Sequence, residues 1–134
     1  TGNSCRSQMG EAYLKHFSNK MNLDIEVFSA GVEVHGVNQR AIEILLEDDI
    51  NINEQTSDHV DQYFNIGITH LITVCDHAKE RCPLFHKKTI KEHHNFSDPS
   101  KNIGSEIEIQ QAFRKTRDDI KSFCKDYLIR NLTT

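Results

Sequence analysis

The chain has 134 residues, of which 37% are hydrophobic and 27% charged, which is typical of one soluble globular domain spanning residues 1–134. The formal net charge of −4 predicts no general affinity for nucleic acid or anionic membranes, so a small anionic substrate would need locally placed donors. No apolar run reaches membrane-spanning length, four cysteines are too few for a disulfide scaffold, and the first residues do not resemble a signal peptide, so we expect a cytoplasmic protein. We also expect a monomer, although none of these features bears on oligomeric state.

The first half of the chain predicts a loop, a helix, a strand and two further helices. Residues 1–6 form the loop, and apolar residues recur at helical spacing over about 7–20. Residues 24–28 alternate as a half-buried strand would. Asn38 is a suitable N-cap for a second helix, and Thr56-Ser57-Asp58 is typical of a further helix start.

The second half predicts two more strands separated by a long loop. Residues 70–74 form an apolar run that ends at Cys75, as buried parallel strands do, and residues 88–92 predict a short last strand. The intervening segment, 76–88, is charged and contains Pro83, which predicts a loop with one helical turn.

Asp98-Pro99 opens another loop, and residues from about 105 to 130 carry apolar side chains every three or four positions, which predicts a final helix. Strands that alternate with helices predict an α/β fold with a parallel sheet, whose ligands bind at the carboxyl ends of the strands. The loops that would share this edge are 1–6, 75–87 and 95–100.

The first loop has the composition of an anion-binding site. Gly2 allows close approach of the backbone, and amide groups of the loop and of the helix N-terminus can converge on one oxyanion. Arg6 adds a planar guanidinium that binds two oxygens.

The residues Thr-Gly-Asn-Ser-Cys-Arg-Ser-Gln-Met at 1–9 resemble the phosphate loop of thioredoxin-coupled arsenate reductases, within the low-molecular-weight protein tyrosine phosphatase superfamily. The resemblance implies a four-stranded parallel sheet flanked by helices, and reduction of arsenate to arsenite with thioredoxin as reductant, an arsenic-detoxifying activity. It continues in order along nearly the whole chain, through Phe28-Ser29-Ala30-Gly31, His35-Gly36-Val37-Asn38, Thr56-Ser57-Asp58, Thr73-Val74-Cys75 with Cys82-Pro83, and Asp98-Pro99.

The resemblance implies roles for the loop residues. The catalytic arginine would be Arg6, and Ser7 would support a nucleophilic thiolate. That nucleophile, five residues before Arg6, would immediately precede Thr1, so we expect an N-terminally incomplete domain that lacks the first, central strand of the sheet. Cys5 is adjacent to Arg6 and is expected to be a small buried hydrophobe. Substrate would be bound by Thr1, Gly2, Asn3, Ser4, Cys5 and Arg6.

Two further cysteines would take part in thiol–disulfide exchange with the nucleophile. The resemblance implies that Cys75 and Cys82 form a disulfide after turnover, which thioredoxin then reduces. Two alternatives stay open at this stage, namely two unrelated thiols and a zinc site. Cys124, inside the last helix, is expected to belong to the core. The zinc ligands would be Cys75, His77, Cys82 and His86.

Asp98 resembles the general acid of the family, which protonates the leaving oxygen. Ser100-Lys101-Asn102 follow it where phosphatases commonly carry aromatic residues, and this departure argues against an aryl phosphate substrate.

The reaction requires no cofactor, but some members hold a potassium ion behind the loop. A hydrogen-bond network without a metal is the alternative for the matching oxygen donors, which are Asn3, Glu11, Ser29 and Asp58. The competing functions for the whole chain are a low-molecular-weight tyrosine phosphatase and a degenerate oxyanion-binding module that lacks its nucleophile.

Overall fold

The computed structural model describes residues 3–75 and 88–133. The helices there are α1 (Arg6–Lys20), α2 (Gln39–Leu46) and α3 (Glu106–Leu132). Strands β1 (His70–Thr73) and β2 (Ile90–His93) pair in parallel, with His70 opposite Ile90. Short 3-10 helices lie at Val60–Tyr63 and Pro99–Lys101. No helix in these two ranges is long and apolar enough to cross a membrane.

The three α-helices confirm the helices predicted at 7–20, after Asn38 and at 105–130. The side chain of Asn38 accepts hydrogen bonds from the amides of Arg40 and Ala41 and so caps α2. Ser105 caps α3 in the same way, because its hydroxyl oxygen accepts from the amide of Glu108 at 3.2 Å. Side-chain capping therefore fixes the starts of α2 and α3, whereas α1 has no side-chain cap and was identified by its apolar periodicity.

The core lies between α1 and α3, with α2 packed against α3. Tyr13 from α1 and Phe113 and Ile120 from α3 are almost completely buried. Cys124 is 2% exposed, and its Sγ lies 3.7 Å from the carbonyl oxygen of Gly10, which confirms the expected core position. Burial raises the pKa of the Cys124 thiol to about 12, so it stays protonated at neutral pH.

The strand predicted at residues 24–28 is not formed. Their side chains alternate between exposed and partly buried, as predicted, but within the described ranges no backbone hydrogen bond joins them to a neighbouring strand. Alternation places side chains on two faces, whereas a sheet also needs a paired backbone. The sheet of the described residues consequently has two strands, β1 and β2, instead of the three that were predicted within this chain.

A cleft of about 710 Å³ separates residues 24–31 from β1 and explains the missing pairing. Helix α3 also lines this cleft, and the buried hydroxyl of Tyr127 on that helix has no hydrogen-bond partner among the described residues. Ser7 lines both this cleft and a polar pocket at the start of α1.

The prediction that a helix starts at Thr56-Ser57-Asp58 is wrong. The amide of Gly31 donates to the carbonyl of Asp58, and the amide of Val60 donates to the carbonyl of Gly31, both at 2.9 Å. This parallel bridge keeps His59 extended, so only the 3-10 helix Val60–Tyr63 follows. The loop predicted between Cys75 and Lys88 lies outside the described residues.

Candidate active site

The start of α1, the carboxyl end of β1 and the turn at Asp98 surround a polar pocket of about 270 Å³, the anion pocket. The structure thus brings Arg6, Ser7 and Asp98 together, while Thr1, Gly2 and Cys82 lie outside the described residues. The chemical roles of these residues stay predictions. The pocket is lined by residues 3–7, His35, Val74, Asp98, Ser100 and Lys101.

Asn3 orders the anion loop, which is the segment that precedes α1, through buried hydrogen bonds. It is 1% exposed, and its Oδ1 accepts a hydrogen bond from the amide of Asp58 at 2.7 Å. Its Nδ2 donates to the hydroxyl oxygens of Ser7 at 2.7 Å and Ser29 at 3.0 Å. Its φ of 49° lies in the left-handed region, which asparagine adopts more readily than most residues. A polar network therefore orders this loop.

Two glutamines extend the same network. The Nε2 group of Gln8 donates to the carbonyl oxygens of Asn3 at 3.0 Å and Thr56 at 2.9 Å. Gln55 donates in turn to the side-chain oxygen of Gln8 at 2.8 Å. Since Gln8 is completely buried, these bonds are shielded from water, and they tie the loop to the segment before Asp58.

The first turn of α1 offers polar hydrogens to the pocket. Cys5 is the N-cap of this helix and makes no side-chain capping bond, so no capping side chain occupies the first-turn amides. Ser7 accepts from Asn3, and among the described residues no acceptor takes its hydroxyl hydrogen. Ser7 could therefore donate that hydrogen to a thiolate held in the loop.

Arg6 and Asp98 face each other across the pocket. One terminal nitrogen of the guanidinium donates to the carbonyl oxygen of Phe96 at 2.9 Å, and the other lies 3.4 Å from Oδ2 of Asp98. Both side chains are mostly buried, at 13% and 19% exposed. At 3.4 Å the contact with Asp98 is weak, so an oxyanion can compete for this guanidinium.

Asp98 is ionised at neutral pH in this arrangement. Partial burial opposes its ionisation, but the hydroxyl and amide of Ser100 and the charges of Arg6 and Lys101 outweigh burial and lower its pKa. The Ser100 hydroxyl is 2.6 Å from Oδ1. Asp98 must therefore gain a proton before it can act as an acid.

Cys5 and Cys75 are both buried, at 4% exposed each, but they differ in position. Burial, with the nearby negative charge of Asp98, raises the pKa of Cys5 to about 12 although Arg6 opposes this, so Cys5 is a hydrophobic thiol as expected. Cys75 follows Val74, which lines the pocket at the end of β1. Of the alternative zinc set, only Cys75 belongs to the described residues.

The four residues matched to a potassium site are mostly occupied by other partners. The hydroxyl of Ser29 donates to Oε1 of Glu11 at 2.6 Å, while Lys15 lies 2.5 Å from Oε2. The carboxylate of Asp58 accepts from Thr56 and Tyr63 instead. Asn3 presents its amide nitrogen to Ser29. These residues therefore form a hydrogen-bond network that ends at the ammonium group of Lys15, and potassium binding by this set stays a prediction.

Sequence reasoning did not assign three pocket residues, His35, Ser100 and Lys101. His35 lies within the stretch that carries the family resemblance, and Ser100 and Lys101 were noted only as a departure from aromatic residues. Their position immediately after Asp98 was the available signal, because a turn that places Asp98 at the pocket also places its neighbours there.

The family model described as "Low molecular weight phosphotyrosine protein phosphatase" matches the chain over residues 1–134. Together with the phosphate-type loop at the start of α1, this match shows that the chain belongs to the low-molecular-weight phosphotyrosine protein phosphatase family.

Within this family the chain is similar to arsenate reductases. It is 40% identical over 129 residues to an arsenate reductase of Shouchella clausii, and the match covers 95% of this chain and 89% of that relative. A solved structure, "An arsenate reductase in the phosphate binding state", superposes with a TM-score of 0.78 at 29% identity, covering 96% of this chain and 91% of that one. The low-molecular-weight tyrosine phosphatase of T. tengcongensis has a TM-score of 0.81 at 20% identity, covering 98% and 95%, and supports the fold alone.

Proposed function

We propose that the protein reduces arsenate to arsenite through a relay of three thiols, with thioredoxin as the final reductant. The observation that carries this proposal is the anion pocket, in which Arg6 and Asp98 face each other and Val74 leads directly to the buried Cys75. The 40% identity to an arsenate reductase over 95% of the chain supports the same reaction.

The first step joins substrate to a thiol. Loop amides and Arg6 bind the tetrahedral oxyanion, and the thiolate expected directly before Thr1 attacks arsenic. An As–S bond forms, and one arsenate oxygen leaves as water. A bound dianion would engage Arg6 and add negative charge beside Asp98, and both effects raise the pKa of that carboxyl. Asp98 can then take up a proton and transfer it to the departing oxygen.

The next two steps move a disulfide away from the pocket. Cys75 attacks the sulfur of the As–S adduct, an S–S bond forms, and the electron pair of the As–S bond stays on arsenic, which leaves as arsenite. Cys82 then attacks Cys75 and releases the first thiol, and a dithiol such as that of thioredoxin reduces the Cys75–Cys82 disulfide. Every exchange needs a thiolate and a sulfur leaving group, which the three cysteines supply.

A phosphatase would need only the loop, Arg6 and Asp98. The pocket wall beyond Asp98 is formed by Ser100 and Lys101, which offer hydrogen bonds and charge but no aromatic surface for an aryl group. This lining favours a small oxyanion over a phosphotyrosine side chain.

The test compares two activities of the full-length protein. Arsenite formation is measured with thioredoxin, thioredoxin reductase and NADPH, and phosphatase activity with p-nitrophenyl phosphate. We expect arsenite formation that Cys75→Ser abolishes, with any phosphate ester hydrolysis unchanged. Cys124→Ser is the matched control, because that thiol belongs to the core, and it should retain both activities. Ester hydrolysis without arsenite formation would contradict the proposal, and so would oxyanion binding without either activity.

A further inference from the structure

The charged groups around the anion pocket give little attraction for a dianion unless Lys101 is included. Arg6 faces the carboxylate of Asp98 at 3.4 Å, so the two charges largely offset each other. Nε2 of His35 lies 2.7 Å from Oε2 of Glu33, so this ring is paired with a carboxylate and adds no unpaired cation to the pocket. The whole chain carries a net charge of −4, which repels a dianion at long range.

Lys101 is placed to supply the missing positive charge. It is the last residue of the 3-10 helix Pro99–Lys101, and its amide donates to the carbonyl oxygen of Asp98 at 3.3 Å. This residue lines the pocket and is exposed, and its side chain forms no ion pair with the described residues. Its charge already favours the ionised form of Asp98, which places it within electrostatic reach of the pocket.

We propose that Lys101 is a second oxyanion-binding residue, which closes over the substrate from the pocket rim and makes the pocket select dianions over monoanions. This inference rests on the proposed function, since arsenate at neutral pH is a tetrahedral dianion in part. Arg6 holds the inner oxygens with a fixed planar group, whereas the flexible lysine stem brings a mobile point charge to the outer oxygens. Such a pair neutralises a dianion while Asp98 remains available as the proton donor.

The test uses two tetrahedral anions, sulfate and perchlorate, with charges of −2 and −1 at neutral pH. Calorimetry on the full-length protein compares wild type with Lys101→Met, Lys101→Arg and the control Lys125→Met, an exposed lysine on α3. Lys101→Met should weaken sulfate binding roughly 5- to 30-fold, as expected for one charge about 4 Å from a dianion in a water-accessible site. Perchlorate binding should weaken by only about the square root of that factor. The Coulomb energy is proportional to the charge of the anion, so a monoanion loses half the free energy that a dianion loses.

Lys101→Arg should bind sulfate within about twofold of wild type, and Lys125→Met should be unchanged, because only the charge at the rim matters. In turnover, Lys101→Met should raise KM for arsenate with little change in kcat. Unchanged sulfate affinity in Lys101→Met would overturn the inference, as would equal weakening of both anions. The calorimetry requires no turnover, so a protein that shows the Lys101 dependence without forming arsenite would refute the proposed function and leave this inference standing.

Discussion

Replacement of Asn3 by alanine should destabilise the protein far more than loss of an ordinary loop side chain. Asn3→Ala removes three hydrogen bonds, at 2.7, 2.7 and 3.0 Å, and leaves the amide of Asp58 without that acceptor. Each such bond contributes about 1 kcal/mol net, and more where a buried partner is left unpaired. An alanine at a φ of 49° costs about 1 kcal/mol in addition.

These terms give a loss of about 3–5 kcal/mol in the free energy of unfolding, against about 5–15 kcal/mol for a typical domain. Asn22 is a matched control, because it is exposed and its φ is 56°. Asn22→Ala should therefore cost about 1 kcal/mol, the backbone part alone. The difference between the two losses in free energy of unfolding measures what the hydrogen bonds of the Asn3 side chain contribute.

Urea denaturation followed by circular dichroism gives both free energies, provided the m-values of the variants agree. Asn3→Gly should recover about 1 kcal/mol relative to Asn3→Ala, since glycine adopts positive φ freely. If Asn3→Ala costs no more than Asn22→Ala, the hydrogen-bond network does not hold the loop and the reasoning is refuted.

Three other predictions concern the pocket. Arg6→Lys should weaken sulfate binding in calorimetry nearly as much as Arg6→Ala, because an ammonium cannot serve the Phe96 carbonyl and two oxyanion oxygens together; wild-type affinity in the lysine variant would argue against it. Asp98→Asn should slow single-turnover arsenite formation roughly 10²–10⁴-fold in rapid-quench experiments, as for other general acids, and a loss under about tenfold would remove Asp98 from that role. Cys5 and Cys124, with pKa values of about 12, should resist iodoacetamide at pH 8 until the protein unfolds, as read by mass spectrometry, whereas fast labelling of the native protein would contradict their burial.

Sequence patterns predicted the helices because the signals for helices are local. Asn38 caps the helix that was predicted to follow it, and apolar spacing identified the buried faces. The segment 24–28 shows where such reasoning ends. The predicted alternation of exposed and partly buried side chains was correct. A strand also needs a hydrogen-bonded neighbour from elsewhere in the chain, and a cleft lies beside this segment instead.

The candidate site also has a part that the sequence predicted and a part that only the folded structure reveals. Arg6 and Asp98 could be assigned because their motifs imply a position, and the structure places them together. The hydrogen bonds that join Gln8 to Thr56 and Gln55 connect segments far apart in the sequence and depend on tertiary packing, which no motif encodes. The 3-10 helix after Asp98 brought Ser100 and Lys101 to the pocket, and only the folded turn reveals this.

The most direct test of the thiol relay is disulfide mapping by mass spectrometry after one equivalent of arsenate is added to the reduced, full-length protein without thioredoxin. The relay predicts one Cys75–Cys82 disulfide for each arsenite released. It further predicts that Cys82→Ser stops with Cys75 bonded to the nucleophilic cysteine. If Cys75 and Cys82 both stay reduced while arsenite is released, the relay is contradicted.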